Sequence, residues 1–486
     1  MKSKFSLVST LGFTALLILG GISAAEAGSP TVQGAGSTWS QIAVDQWRAD
    51  VKSKLGLKVN YTGSGSSAGR SLYIAGKVDF AVTEIPFSKE GDAGIVSGQA
   101  EVTALEAQKK TYQYFPIVAG GTAMMYNLLD ATGKRITNLQ LSQETIAQIF
   151  TGKIKNWSDA KITADNGGHA LPNRAITPVV RSDGSGTSAQ FTAFLAKQQG
   201  AYWAPFANDN GIPTSVGTSN FPVAGGFVGQ TGSDGVANYV ANRSTGIGAI
   251  GYVETGYALQ RGFPVVAVKN KSGKYVLPTP ENVSVALQAA RLNPDNTQIL
   301  TGVYNNTNAS AYPISSYSYM VTNKDTGLTP DKGAVLSSFV HYFACDGQQK
   351  ASVLGYAPLP PVLVQVVFNA IQHIPGHIKI PAKPTAENCN NPTFKGKLGD
   401  NSNSAGNSGT GGFGGNTGGT GTDGGTGTTG VDSNESQVQA VEITVQPQGS
   451  RAVWPAAIVL LAIIGPALAV AAYRKIVPLL SNKPTK

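Results

Sequence analysis

The segment Arg181-Ser182-Asp183-Gly184-Ser185-Gly186-Thr187 carries the residue types from which an oxyanion site is built. A guanidinium offers a planar, permanently charged fork that meets two oxygens at once. Serine and threonine hydroxyls donate beside backbone amides, and glycine lets the backbone approach a ligand closely. The segment follows an extended stretch, 176–180, and precedes 188–197, where Phe191, Phe194 and Leu195 recur at helical spacing. Its amides therefore fall at a helix N-terminus, where orphan N–H groups and the positive dipole end favour an anion. A capped surface turn beside a solvated arginine uses the same residue types, so this segment alone leaves both readings open.

Two more segments repeat the pattern. Gly34-Ala35-Gly36-Ser37-Thr38 and Gly63-Ser64-Gly65-Ser66-Ser67-Ala68 each follow an expected strand (31–33 and 57–61) and precede a helix. A third strand, 78–82, ends at Thr83-Glu84-Ile85-Pro86. Open α/β sheets hold ligands beyond the carboxyl ends of their strands, which is where all three turns fall. Convergent, they would surround a tetrahedral anion with donors reinforced by Arg181. Two other motifs overlap the second turn. Gly63, Gly65 and Gly69, with Glu84 further on, approximate a dinucleotide fingerprint with imperfect spacing. Gly65-Ser66-Ser67-Ala68-Gly69 matches the nucleophile elbow of serine hydrolases. None of His169, His341, His373 and His377 stands in a distinctive catalytic setting.

The elements around these turns read as α/β. A helix through Lys54 follows the first turn, with Trp39, Ile42, Ala43, Trp47 and Val51 on one face. Residues 114–118 and 122–127 read as two strands around a break at Gly120-Gly121, and Ser142 caps a helix to Thr151. Pro178 makes 176–180 a short or edge strand. Further strands are expected over 246–253 and 316–321.

Both ends of the chain read as processing or anchoring segments. Lys2 and Lys4 precede an apolar run, and Ala25-Glu26-Ala27 forms a small-x-small cleavage site, so 1–27 is expected to be a signal peptide. Residues 391–450 form a Gly/Thr/Ser-rich linker. The uncharged stretch 453–473 spans about 31 Å as a helix, enough to cross a bilayer. Arg474, Lys475, Lys483 and Lys486 follow it and place the tail 474–486 in the cytoplasm. The remaining 28–390 is thus expected outside the cytoplasmic membrane, tethered to its outer face. An oxidising compartment favours pairing Cys345 with Cys389, the only two cysteines. No cysteine/histidine spacing suits a metal, and no cofactor or nucleic acid is implied. The net charge of +9, with charged residues at only 13%, suits an anionic ligand or surface.

The three turns resemble the phosphate-binding proteins of high-affinity phosphate ABC transporters. The resemblance rests on Gly34-Ala35-Gly36-Ser37-Thr38, Val59-Asn60-Tyr61, Gly65-Ser66-Ser67-Ala68-Gly69, Val78-Asp79-Phe80 and the run from Arg181 to Ser188. It extends to Ile149-Phe150-Thr151-Gly152-Lys153-Ile154-Lys155-Asn156-Trp157 and to Gly248-Ala249-Ile250-Gly251-Tyr252-Val253-Glu254, covering nearly all of 30–380. It implies a two-lobed periplasmic-binding-protein-like fold, with one lobe from 28–114 plus 255–390 and another from 115–254. It implies no bond chemistry, only closure on phosphate delivered to the permease subunits of an ABC importer. Thr38, Trp39, Ser66, Arg181, Ser185, Gly186 and Thr187 would be its ligands, with Asp183 orienting Arg181. Glu84 would accept a hydrogen bond from protonated phosphate and so disfavour sulfate. The family usually has phenylalanine where Trp39 stands and aspartate where Glu84 stands. The alternatives are a membrane-anchored surface sensor, adhesin or scaffold that reuses the fold, and third a serine hydrolase.

Overall fold

The computed structural model describes residues 30–93 and 100–395. The expected signal peptide, the linker beyond 395, the apolar segment 453–473 and the tail lie outside these residues. Among the described residues no helix is long and apolar enough to cross a membrane.

Eight strands form one mixed sheet: β1 (Thr31–Gly36), β2 (Lys58–Thr62), β3 (Phe80–Thr83), β4 (Tyr112–Tyr126), β5 (Thr177–Arg181), β6 (Val228–Gln230), β7 (Ala249–Glu254) and β8 (Ser315–Asn323). Their spatial order is β2-β1-β3-β8-β4-β7-β5-β6. Glycine- and hydroxyl-rich turns lead from four of these strands into α1 (Gln41–Leu55), α2 (Ser66–Ile74), α3 (Gly186–Gln198) and α4 (Gly232–Ala241). From β7 the chain passes directly into α5 (Thr255–Arg261). The architecture is α/β, as the sequence predicts.

Strand β4 organises the sheet. Its residues from Tyr114 onward are buried on both faces, which suits an almost unbroken apolar run in an interior strand. Residues 112–121 of β4 pair with β8, and 122–126 pair with β7, both antiparallel. Strands β1, β2 and β3 are parallel to one another, as are β7, β5 and β6, and β3 runs antiparallel to β8. The two parallel sets therefore point in opposite directions along the sheet. The register brings their ends together: Thr83 at the end of β3 lies opposite Tyr319, Tyr319 opposite Pro116, and Glu254 at the end of β7 opposite Thr122. Carboxyl ends from both halves thus meet along one short stretch of β4.

The expected break at Gly120-Gly121 does not occur. Both glycines lie inside β4, and their missing side chains serve packing. A Cβ on Gly120 would lie 2.7 Å from the Trp39 ring, and one on Gly121 would lie 2.8 Å from Pro278. Pro178 lies in a short strand, but not at an edge, because β5 stands between β7 and β6. Only β7 pairs at Pro178; β6 joins from Val179 onward, so the missing N–H disrupts no ladder on that side.

Cys345 and Cys389 form a disulfide with an S–S distance of 2.07 Å. It ties the end of helix α6 (Pro330–Ala344) to the last described segment. Closing a loop with a sequence separation of 44 is worth about 4 kcal/mol in the chain-entropy account. Replacing both cysteines with serine is expected to lower the unfolding free energy by about that amount. Urea unfolding of the two proteins measures it, and superimposable curves would refute the stabilising role.

Candidate anion-binding site

Four of the helices present their N-termini to the place where the opposed strand ends meet. The Ser67 amide donates to Gly184 O at 3.1 Å, joining α2 to the turn before α3. The Ser233 amide at the start of α4 donates to Thr38 Oγ1 at 3.1 Å, joining it to the turn before α1. Helix α3 is capped by Ser185, whose Oγ accepts from the Ser188 amide at 3.1 Å. The first amides of each helix have no partner within their own helix, so four sets of donors share one small region.

Arg181 lies at the centre and is 1% exposed. Its Nε donates to Asp183 Oδ1 at 2.7 Å, its Nη2 to Asp183 Oδ2, and its Nη1 to Ser233 Oγ at 3.3 Å. Burial raises the Asp183 carboxyl, but the hydrogen bonds and charge of Arg181, with the Gly232 amide, bring it below its ordinary value. Asp183 is therefore a charged group that fixes the guanidinium plane. Close packing tightens this corner, for a Cβ on Gly65 would lie 2.6 Å from Asp183 Oδ2.

Glu84 is fully buried beyond β3 and faces the same centre. Ser37 donates to its Oε2 at 2.8 Å, Ser66 to Oε2 at 2.9 Å, and Ser318 to Oε1 at 2.7 Å. Burial raises its pKa above the ordinary glutamate value, opposed by these hydroxyls and by the Arg181 charge. The carboxylate reaches the N-terminus of α3, where a Cβ on Gly186 would lie 1.9 Å from Oε2. Glycine at that position gives the long glutamate side chain its room.

The turn before α1 is held from behind. Tyr61 donates to Ser37 O at 2.7 Å, Tyr257 donates to Thr38 O, and Tyr356 donates to Trp39 O at 2.6 Å. Three consecutive carbonyls are thus tied back by three tyrosines from different elements. The opposite ends of these peptides are the amides of Thr38, Trp39 and Ser40, of which that of Trp39 is taken by Ser37 Oγ.

The structure brings Thr38, Ser66, Glu84, Arg181, Asp183, Gly186 and Thr187 together, with details that differ from expectation. The Trp39 amide donates to Ser37 Oγ at 3.0 Å, and its ring packs on Gly120. Thr38 Oγ1 lies 3.0 Å from Ser233 Oγ. The Ser185 amide donates to Ser219 O at 3.0 Å, so beyond its capping role only its hydroxyl proton remains to give. Thr187 Oγ1 is buried without a partner. Glu84 is ringed by the protein's own serines, where the sequence suggested only a ligand partner.

Sequence reasoning missed Ser37, Ser233 and Ser318 as members of the site. Thr231-Gly232-Ser233 is a fourth turn of the same kind, hidden because β6 has only three residues and no apolar run. Ser318 points to Glu84 only because β8 pairs with β3, a long-range pairing with no local sequence signal. The hydrolase motif finds no histidine partner. His373 pairs with Asp325 and His377 with Ile374 O, while the Oγ of Ser67, the serine at the motif's centre, is buried without a hydrogen-bond partner. Among the described residues no group of three or more His, Cys, Asp or Glu is placed to hold a metal ion.

Converging helix N-termini between opposed parallel strand sets define the class: an α/β protein of periplasmic-binding-protein-like fold. The family model of a PBP superfamily domain matches residues 22–347. A phosphate-binding protein PstS from Xylella fastidiosa is 34% identical over 348 residues, covering 71% of this chain and 86% of that protein. One from Haemophilus influenzae is 32% identical, covering 72% and 95%. Among solved structures, a high-affinity periplasmic phosphate-binding protein with bound phosphate matches at TM-score 0.54 and 20% identity, covering 70% of this chain and 93% of that one. The chain belongs to the PBP superfamily and, within it, to the family of these PstS proteins.

Proposed function

We propose that this chain binds inorganic phosphate outside the cytoplasm and delivers it to an ABC importer. The observation that carries the reading is the meeting of four helix N-termini with buried Arg181 and Glu84, in a chain of this family. Phosphate would be held by Arg181, by amides at the starts of α1, α2 (Ser66) and α3, and by the hydroxyls of Thr38 and Thr187. Neutral dipoles fixed before binding need no rearrangement when the anion arrives. Glu84 would accept a hydrogen bond from a protonated phosphate oxygen, whereas sulfate at neutral pH brings no proton and meets a charge. The comparisons do not favour the alternatives of a surface sensor, adhesin or scaffold, or of a serine hydrolase.

The same proposal has two lobes, 28–114 with 255–390 and 115–254, closing about the strands that cross between them. It also has 453–473 anchoring the exported chain to the membrane. The length of that apolar stretch and the basic residues after it support the anchor.

The preference for phosphate over sulfate is expected to depend on pH with a definite sign. Above the raised pKa of Glu84 the carboxylate accepts from phosphate and repels sulfate. As the pH falls through that value Glu84 gains a proton and becomes a donor, and the preference shrinks. Competition titrations from mildly alkaline to mildly acidic pH test this. Glu84→Gln is expected to lose most of the discrimination, about tenfold or more. A preference unchanged by pH and by Glu84→Gln would refute the role of this residue.

A further inference from the structure

The turn Thr231-Gly232-Ser233 reaches the site beside Arg181. Strand β6 pairs with β5 so that Gln230 lies opposite Arg181, and the chain then turns into α4. Gly232 has φ +70°, a left-handed conformation that favours glycine, and its amide donates to Asp183 Oδ1 at 3.0 Å. The Thr231 and Ser182 hydroxyls lie 3.2 Å apart, so the turns after β5 and β6 are joined side by side. Ser233 is fully buried and is thereby held between Arg181 and Thr38.

A guanidinium carries five N–H donors. The Nε proton and one Nη2 proton of Arg181 go to Asp183, and one Nη1 proton goes to Ser233 Oγ. Two remain, one on each terminal nitrogen, the fork that meets two oxygens of an anion. The hydroxyls divide their protons in the same way. Thr38 Oγ1 accepts from the Ser233 amide, and Ser233 Oγ accepts from Arg181. The two oxygens lie 3.0 Å apart, so one hydroxyl proton is spent between them and one is left to give. Thr38 follows β1 and Ser233 follows β6, so this contact joins the two opposed strand sets.

We propose that Ser233 is a positioning residue for the anion: its oxygen fixes Nη1 of Arg181, and its hydroxyl proton goes to Thr38 Oγ1, which leaves the Thr38 proton for the ligand. Without Ser233 the Thr38 hydroxyl is free to turn its proton away, and Nη1 rotates about its bond to Cζ. The hydrogen bonds of Ser233 go to Arg181 and Thr38, whereas those of the Glu84 carboxylate go to Ser37, Ser66 and Ser318. The two tasks of the site are thus divided. Ser233 sets donors that serve any tetrahedral oxyanion, and discrimination between anions belongs to Glu84.

The effect on affinity rests on the proposed function, while the hold on Arg181 does not, and two measurements on the full chain separate them. In competition titrations with phosphate and sulfate at neutral pH, Ser233→Ala is expected to weaken both anions by about tenfold and to leave their ratio unchanged. Thr38→Val, which deletes the donor itself, is expected to cost at least as much. In the Thr38→Val background Ser233→Ala is expected to cost less than about threefold, because the hydroxyl it steers is gone. A serine that only fills space would cost the same in both backgrounds. In NMR spectra of the ligand-free chain with nitrogen-labelled arginine, the two Nη1 protons of Arg181 are expected to give separate signals that merge in Ser233→Ala. Wild-type affinity in Ser233→Ala, additive losses or a changed ratio of the two anions would overturn the inference. So would a larger loss in Ser233→Ala than in Thr38→Val, which would make Ser233 itself the donor to the anion, and so would Nη1 signals that are alike in both proteins. If the wild-type chain binds neither anion, the proposed function fails, and the Nη1 signals alone decide whether Ser233 holds Arg181.

Discussion

Arg181→Ala is expected to weaken phosphate binding by about 2–5 kcal/mol, or roughly thirtyfold to several thousandfold. The guanidinium is 1% exposed and bonded to Asp183 and Ser233, so its removal deletes the full positive charge that the described residues place at the centre of the site. It also leaves the Asp183 carboxylate facing the incoming anion without its partner, and two negative groups then share one buried region. Arg181→Lys is expected to recover little, since a point charge cannot reproduce the planar fork that engages Asp183 and ligand together. Calorimetric titration of the three proteins measures the losses. Near wild-type affinity in Arg181→Ala would show that phosphate is held elsewhere.

The second large effect falls on a glycine. In Gly186→Ala the new methyl carbon would lie 1.9 Å from Glu84 Oε2 and 2.5 Å from Ser66 Oγ. Neither neighbour can yield freely, because Ser66 and Glu84 are hydrogen-bonded to each other and Glu84 is also held by Ser37 and Ser318. The expected cost is about 1–3 kcal/mol of overpacking, delivered at the start of α3, where the proposed anion donors lie. Shortening the opposing side chain should relieve the clash. The double variant Glu84→Asp with Gly186→Ala is therefore expected to bind better than Gly186→Ala alone, a coupling read from a double-mutant cycle. Strictly additive losses would mean that the two residues do not press on each other in the bound protein.

The legibility of this protein in its sequence divides along the range of the interactions. Turns that combine glycine and hydroxyls between a strand and a helix are local, and Gly34–Thr38, Gly63–Ala68 and Arg181–Thr187 could be read directly. So could Asp183 as the partner of Arg181, because only Ser182 separates them along the chain. The opposed strand sets could not be read, since they depend on β4 exchanging β8 for β7 between Gly121 and Thr122. Gly120 and Gly121 looked like a break because their packing partners, Trp39, Pro278 and Tyr312, are distant in sequence. The three tyrosines that tie back Ser37, Thr38 and Trp39 come from positions 61, 257 and 356, and nothing local marks them. Glu84 was legible as a site residue, but its ring of serines depended on the register of β8 against β3.

The central claim is that opposed strand ends and four helix N-termini form one phosphate site with Arg181 as its charge and Glu84 as its acceptor. Calorimetric titration of the full chain with phosphate and with sulfate at neutral pH tests it most directly. The account predicts one phosphate bound per chain, with sulfate weaker by about tenfold or more. No phosphate binding at millimolar concentration, or equal affinity for the two anions, would contradict it.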